Sequence, residues 1–573
     1  MEKQGYFAMK NYFGIDFNKK REALLKSEAA RPMIDHIIKK ADNALGKTYS
    51  VLKMSEYMLF YETGDRKIFE NKYYERRDDC VSLSAALWLT GDEKYVKSLI
   101  DAIFVICDEY TWCLPAHADI LNNPYSEELV SRIDLANGET AKTLTEIVVV
   151  NEDKLPEYVN KRIADEVRRR VINGLKSKCG WEGSTSNWAS VCGCCSASVL
   201  LHFGTEEEIT SLMPKLYKAI DNFLKGYESD GCCKEGMIYW SFGFGHFLYF
   251  ARLAYAFTGG EKNYFNEQKV RNIAMFPQKI RMGRTKLYCV SDSTQDYYAD
   301  VKSLSFLRQI YGKDILYPEL DLGGHKDNIF SLTELLWFDT DYKADEWPFD
   351  ITYFKNSQLY IKRNKKYSFA AKGGTNGEPH NHNDIGSFMI VDNREDIPIA
   401  DVGRGEYTRE TFDPDTRYTL FVNGSQGHSV PIINGKYQVA GVEYRAKNAE
   451  VTDTSFSLDI EGAYEKGLIS RIHRVFDLKD SSVVMTDEFD YSDKTESICE
   501  RIISWSKPVV QDGYIMIGNT KLIFDNDKYK AVCGSESYTG HLGAGDVLTA
   551  YYIDFTPYNS LPANFKIEIV MTQ

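Results

Sequence analysis

Two histidines two residues apart, His380 and His382, stand in a run of glycines, amides and acids. The run reads Gly373-Gly374-Thr375-Asn376-Gly377-Glu378-Pro379-His380-Asn381-His382-Asn383-Asp384-Ile385-Gly386-Ser387-Phe388, and apolar Met389, Ile390 and Val391 follow at once. In a strand, residues two apart project to one face, so a strand reaching back over this run aims both imidazoles at one place. Imidazole works as an acid or base near neutral pH, or as a neutral metal ligand. The pattern fits a catalytic site, a metal site, or one of each side by side. The bland reading is a surface pair, and the density of Asn, His and Asp against an apolar strand weighs against it. Two other segments offer ligands: Asp401 follows the apolar stretch 397–400, and His428 follows Gly427 and precedes the apolar stretch 430–433. Two imidazoles and a carboxylate with an open position suit Zn²⁺. By spacing alone, three ligands spread over about fifty residues are a weak signal.

The first half holds two more candidates. Trp181-Glu182-Gly183-Ser184-Thr185-Ser186-Asn187-Trp188 lies directly before a helical pattern. Its plain reading is a helix start with a core aromatic, and its chemical reading is an amide, Asn187, and a ring, Trp188, presented to a ligand. Asp230-Gly231-Cys232-Cys233-Lys234-Glu235-Gly236-Met237-Ile238-Tyr239-Trp240 is a loop running into a helix, with His246 two helical turns on. Tyr239 and Trp240 are packing residues or site residues. Upstream, Trp112 and His117 flank a proline-containing loop that could wall a cleft.

The combination of a Gly-rich stretch and His-x-His-x-Asp-x-Gly-Ser-Phe resembles the signature of the heparinase II/III-like polysaccharide lyases. The likeness is specific over 373–388, weaker around 187–188 and 230–240, and architectural elsewhere. It implies an N-terminal α/α toroid, an incomplete barrel, followed by a C-terminal antiparallel β-sandwich, an α+β multidomain chain. It also implies β-elimination on uronic-acid glycans, with the site between the two parts. Abstracting the proton beside a uronate carboxylate requires that the carboxylate be neutralised, that a base reach the proton and that an acid protonate the leaving oxygen. Carried over, the resemblance gives Asn187 and His380 the carboxylate, Tyr239 the leaving oxygen, and His382, Asp401 and His428 a structural Zn²⁺. Trp188, His117, Trp112, His246 and Trp240 are the substrate-binding candidates. Many members of that family have a histidine after this asparagine; here Trp188 stands in that place. The base is therefore open, and our reading gives Tyr239 both proton transfers. Two competing functions are a glycoside hydrolase on a helical toroid, with Glu182, Asp230 and Glu235 as candidate carboxylates, and an inactive carbohydrate-binding relative.

The elements that must position these residues fall into two halves. Apolar residues recur at helical spacing over 19–45, 81–89, 95–107, 134–151, 155–175, 189–203, 209–227 and 244–258, joined by short polar turns. Leu332 to Trp337 reads as the last helix, and the polar stretch 341–348 as a linker. Beyond it, short alternating runs recur between Gly, Asp and Asn turns, the pattern of a sandwich. The domains are accordingly 1–340, helical, and 341–573, sandwich.

Composition bounds the function. The 573 residues exceed one ordinary domain. A net charge of −14 argues against a nucleic-acid binder, and means that a polyanionic substrate needs a local basic site on an acidic body. No run is apolar enough to span a membrane, and the N-terminus does not read as a signal peptide, so the expectation is a cytoplasmic chain acting on acidic oligo- or polysaccharides. Whether it self-associates is left open. Of the 12 cysteines, Cys192, Cys194, Cys195, Cys232 and Cys233 cluster in sequence, and small buried residues are the better reading than a second zinc site.

Overall fold

A computed structural model describes residues 14–118, 127–294, 296, 300–320, 332–540 and 547–572. The chain forms two compact units: Met1–Gly226, Trp240–Val270 and Tyr298–Asp345 make the first, and Tyr227–Tyr239, Arg271–Tyr297 and Glu346–Gln573 the second. The division at 345/346 falls in the polar linker. Segments 227–239 and 271–294 pack with the sheets, which a single boundary at 340/341 did not provide for.

The first unit is helical. Its centre is Asn187–Phe203, which is buried without interruption from Ala189 to Leu201. Cysteine, alanine and glycine let neighbours approach closely here: a methyl placed on Gly138, in the adjoining helix Leu135–Val150, would come 3.1 Å from Cys195 Cβ. All described cysteines are free, and the Cys192–Cys195 cluster is wholly buried, as small hydrophobes are. Next comes Glu206–Lys225, started by a capping box in which Thr205 and Glu208 satisfy each other's backbone N–H. The pattern over 19–45 is two helices, Phe17–Lys26 and Arg31–Asn43, because Pro32 must sit in a first turn and Ser27 Oγ accepts from Ala30 N there. The pattern over 81–89 is the end of the longer Lys67–Thr90, closed by left-handed Gly91. Met54–Thr63 and Val301–Tyr311 are helices that the sequence pattern did not single out.

The second unit is antiparallel sheet. Four strands run in the order Ile351–Phe354, Leu359–Arg363, Tyr367–Lys372, Phe388–Asp392. Eight run Pro508–Gln511, Tyr514–Ile517, Thr520–Phe524, Asn564–Met571, Ser482–Asp490, Arg471–Leu478, Ser455–Asp459, Lys447–Val451. A third sheet orders Tyr529–Thr539, Val547–Pro557, Ile498–Ser504, Pro431–Ile433. One core joins them, with Tyr360 stacked on Phe456 at 5.2 Å and Phe388 against Phe476 at 5.0 Å. Burial alternates along Arg471–Leu478, as period two requires, so Arg474 points inward. Its guanidinium pairs with Asp487, opposite it in register, and with Glu500 at 3.0 Å. It also donates to Gly386 O at 2.9 Å and Ser429 O at 2.8 Å, clamping the segments that follow His382 and His428.

Candidate active site

The strand after the His-x-His begins only at Phe388, so strand alternation does not align the two histidines. His380 sits in loop, at φ +55°, a backbone conformation that non-glycine residues adopt rarely and mostly at functional sites. The two imidazoles meet instead on the two oxygens of one carboxylate. Asp292 Oδ2 lies 2.9 Å from His380 Nδ1, and Oδ1 lies 2.9 Å from His382 Nε2. Arg417 Nη2 donates to both oxygens, at 3.2 and 3.1 Å, and to Asn381 O. Tyr407 Oη donates to Oδ2 at 3.0 Å. Burial opposes charge on Asp292, yet hydrogen bonds from His380 and His382 and the charge of Arg417 hold its carboxyl well below the usual range. It is therefore an acceptor only, and His380 carries its proton on Nδ1, leaving Nε2 as the nitrogen not committed to it.

Tyr239 completes the cluster. Its ring stacks on His380 with centroids 4.2 Å apart, and its hydroxyl lies 3.2 Å from His380 Nδ1 and 2.7 Å from Tyr407 Oη. Since Tyr407 gives its one proton to Asp292, Tyr239 is the donor in the bond between the tyrosines. Burial pushes the Tyr239 phenol above its ordinary value; the Tyr407 hydrogen bond and the Arg404 charge work the other way without overcoming it. Tyr239 is a neutral phenol. Glu235 Oε2 lies 3.9 Å from His380 Nε2, and burial raises its carboxyl. Asp292, Tyr407, Arg417 and Glu235 carry no motif that singled them out as partners of the histidines: Asp292 lies in the undistinguished stretch 290–293, and Tyr407 is one of 38 tyrosines.

His382, Asp401 and His428 come together, with one ligand atom of each within 4.8 Å of the others and all three buried. The arrangement fits a cation. His382 Nε2 is taken by Asp292 and His428 Nε2 donates to Val422 O at 3.2 Å, so both rings turn Nδ1 toward the third residue. Nδ1 of His382 is buried without a hydrogen-bond partner. His428 Nδ1 lies 3.3 Å from Asp401 Oδ2 but lacks hydrogen-bond geometry, and Asp401 Oδ1 accepts from Gly403 N at 3.1 Å. Two lone pairs and a carboxylate oxygen converging in a dry place, each ligand oriented by an outer partner, is the donor set of a zinc site.

The helical unit holds the other candidates. Asn187 opens its helix after Ser186, and no described residue hydrogen-bonds to its carboxamide. His117 lies edge-on to Trp188 at 4.8 Å and is held by Asp134 Oδ2 at 2.7 Å. His246 donates Nδ1–H to Phe242 O at 2.7 Å, and its Nε2 lies 3.8 Å from Glu139 Oε1. Burial pushes His246 down to about 3 and Glu139 up to about 7. Trp112 and Trp240 are corrections: both are fully buried, Trp112 with its N–H on Ile106 O and its ring under Arg170, so neither wall contacts a substrate.

No family model matches the chain, and no curated protein sequence matches it. Solved structures do. A heparan sulfate lyase mutant from Pedobacter heparinus aligns over 93% of this chain and 82% of its own, at 13% identity and TM-score 0.59. A heparinase III aligns over 99% and 93%, at 14% identity and TM-score 0.61. A chondroitin AC lyase from Streptomyces coelicolor, bound to chondroitin sulphate, aligns over 97% and 82%, at 11% identity and TM-score 0.52. The expected succession of helical region and antiparallel sheets is thus the observed one, and the chain has the fold of these polysaccharide lyases.

Proposed function

We propose that the chain cleaves uronic-acid-containing glycans, of glycosaminoglycan or alginate type, by β-elimination, leaving a 4,5-unsaturated uronate at the new end. The observation that carries this reading is the neutral phenol of Tyr239 stacked on a histidine that Asp292 orients. Tyr239 is the proton donor to the leaving glycosidic oxygen. When the C5 proton and the leaving group share a face of the ring, the same oxygen takes the C5 proton first, which requires the phenol to ionise; burial opposes that step and the Arg404 charge favours it. His380, donating through Nε2 once the ring is protonated there as well as on Nδ1, and Asn187, through its unengaged amide, are the donors assigned to the substrate carboxylate. Trp188, His117 and His246 are the assigned cleft residues. His382, Asp401 and His428 would hold Zn²⁺, whose contribution is to fix the segments carrying the cluster.

The hydrolase alternative needs two free carboxylates about 5 to 10 Å apart. Glu182 is taken by Lys215 at 2.8 Å and by Cys179 N, and Asp230 by Cys232 N and Asn356 N. Glu235 is left without a counterpart from that set. An inactive relative has no need of the aligned Tyr239, His380 and Asp292.

The test is ultraviolet absorbance of the unsaturated uronate over a panel of heparan sulfate, chondroitin sulfate, hyaluronan and alginate, with and without chelator. A rise on one glycan is expected, and Tyr239→Phe should lower kcat by roughly two to four orders of magnitude with KM little changed. New reducing ends without a chromophore would sink the proposal.

A further inference from the structure

The seven residues from Asp401 to Tyr407 link the metal trio to the tyrosine pair, and their backbone is fixed from both sides. Gly403 has φ +65°, and a Cβ there would sit 2.7 Å from Ser293 O and 2.9 Å from Cys289 Sγ. Arg404 N donates to Ser293 O at 3.1 Å, one residue from Asp292. Gly405 bridges Gly540, and Glu406 N donates to Thr539 O at 2.9 Å.

The half-buried side chain of Arg404 lacks what the buried Arg417 and Arg474 have. Arg417 holds both oxygens of Asp292 and the carbonyl oxygens of Thr411 and Asn381, and Arg474 holds two carboxylates and two carbonyls. Arg404 has no carboxylate within ion-pair distance among the described residues, in a chain with 83 acids against 69 bases. Its Nε is shut off from water without an acceptor. Its one ring contact is Tyr407, with Cζ 5.5 Å from the centroid, and it is half-buried, so solvent still reaches it. Its positive charge lies close enough to Tyr239 and Tyr407 to work against the burial that raises both phenols. A donor desolvated without an acceptor is unfavourable unless something else supplies one, and guanidinium is matched to two-oxygen anions.

We propose that Arg404 binds an anionic oxygen group of the substrate, a carboxylate or a sulfate ester, on the sugar that Tyr239 acts on. The placement rests on the lyase reading; the anion binding does not. Fixed backbone on both sides sets where that group lies, so Arg404 selects among acidic sugars rather than adding general attraction.

The test uses the full chain in the Tyr239→Phe background, titrated calorimetrically with hexasaccharides of heparan sulfate, chondroitin sulfate, hyaluronan and alginate, each intact, carboxyl-reduced and, where sulfated, desulfated. R404Q is expected to weaken the tightest intact ligand at least tenfold, with R404K recovering part of the loss. The deficit should vanish against the carboxyl-reduced ligand if a carboxylate is bound, or against the desulfated one if a sulfate is. Equal affinity of R404Q and its parent for every ligand, a deficit that persists in both modified ligands, or a parent that binds none of them overturns the proposal. If R404Q does not fold, R404K carries the same comparison. Absorbance with Tyr239 intact separates the two readings. Arg404-dependent binding without product on any glycan keeps the anion site and removes the lyase; turnover by R404Q with unchanged KM on every substrate removes the anion site and keeps the lyase.

Discussion

Asp292 makes the two histidines different. One oxygen fixes a ring that stacks on Tyr239, and the other fixes a ring that turns its free nitrogen to Asp401 and His428. Asp292→Asn preserves shape but puts an N–H where His380 or His382 now donates. We expect about a 10- to 100-fold fall in kcat or metal affinity, the range seen when outer partners of ligand histidines are changed, measured as kcat alongside bound zinc by elemental analysis. Full kcat and full zinc would show that neither ring depends on the carboxylate. At this scale the sequence was legible where a motif compressed the chemistry: 373–388 announced both histidines, and Tyr239 stood in a recognisable loop. It was silent on Asp292, Tyr407 and Arg417, which reach the cluster from separate segments; no local pattern marks an acid that will be enclosed by donors from elsewhere. The expectation that a strand aligns the histidines failed because 380–387 is loop, and the reading of Trp112 and Trp240 as cleft rings failed because nothing local separates a core tryptophan from a lining one.

Among the elements, strand Arg471–Leu478 governs the site from beneath. Arg474 faces inward on it and ties down Gly386 and Ser429. Arg474→Met leaves Asp487 and Glu500 buried without a counter-charge, a loss of about 3–5 kcal/mol; thermal unfolding should show it as a lowered midpoint, and an unchanged midpoint would mean that the carboxylates find other protons or partners. Period-two alternation makes the inward position of Arg474 readable, but not that a charge there serves as a clamp. Helices were readable from apolar spacing, while their ends were set by Pro32 and Gly91, whose effects are local and steric.

For the molecule as a whole, net charge −14 sets the background against which single cations act. In the helical unit, burial lifts Glu139 from 4.5 to about 7. A carboxyl raised on folding favours the folded state below its unfolded value and loses that contribution as pH rises through about 7. Solvent reaches 40% of this side chain, which keeps the energetic weight small. The check is therefore spectroscopic: the carboxyl carbon resonance absent in Glu139→Gln should titrate near neutrality, and a midpoint near 4.5 would remove the shift. The division into helices and sheets was legible from periodicity; the membership of 227–239 and 271–294 was not, because a linear reading gives order along the chain and not contact.

That interleaving bears on how portable the chemistry is. A gene fragment beginning at 346 encodes every strand of the three larger sheets and the trio His382, Asp401 and His428, yet it omits Tyr239 and Asp292. Recombination that trades one contiguous half for another would pass on that trio while losing the carboxylate that orients His380 and the phenol stacked on it.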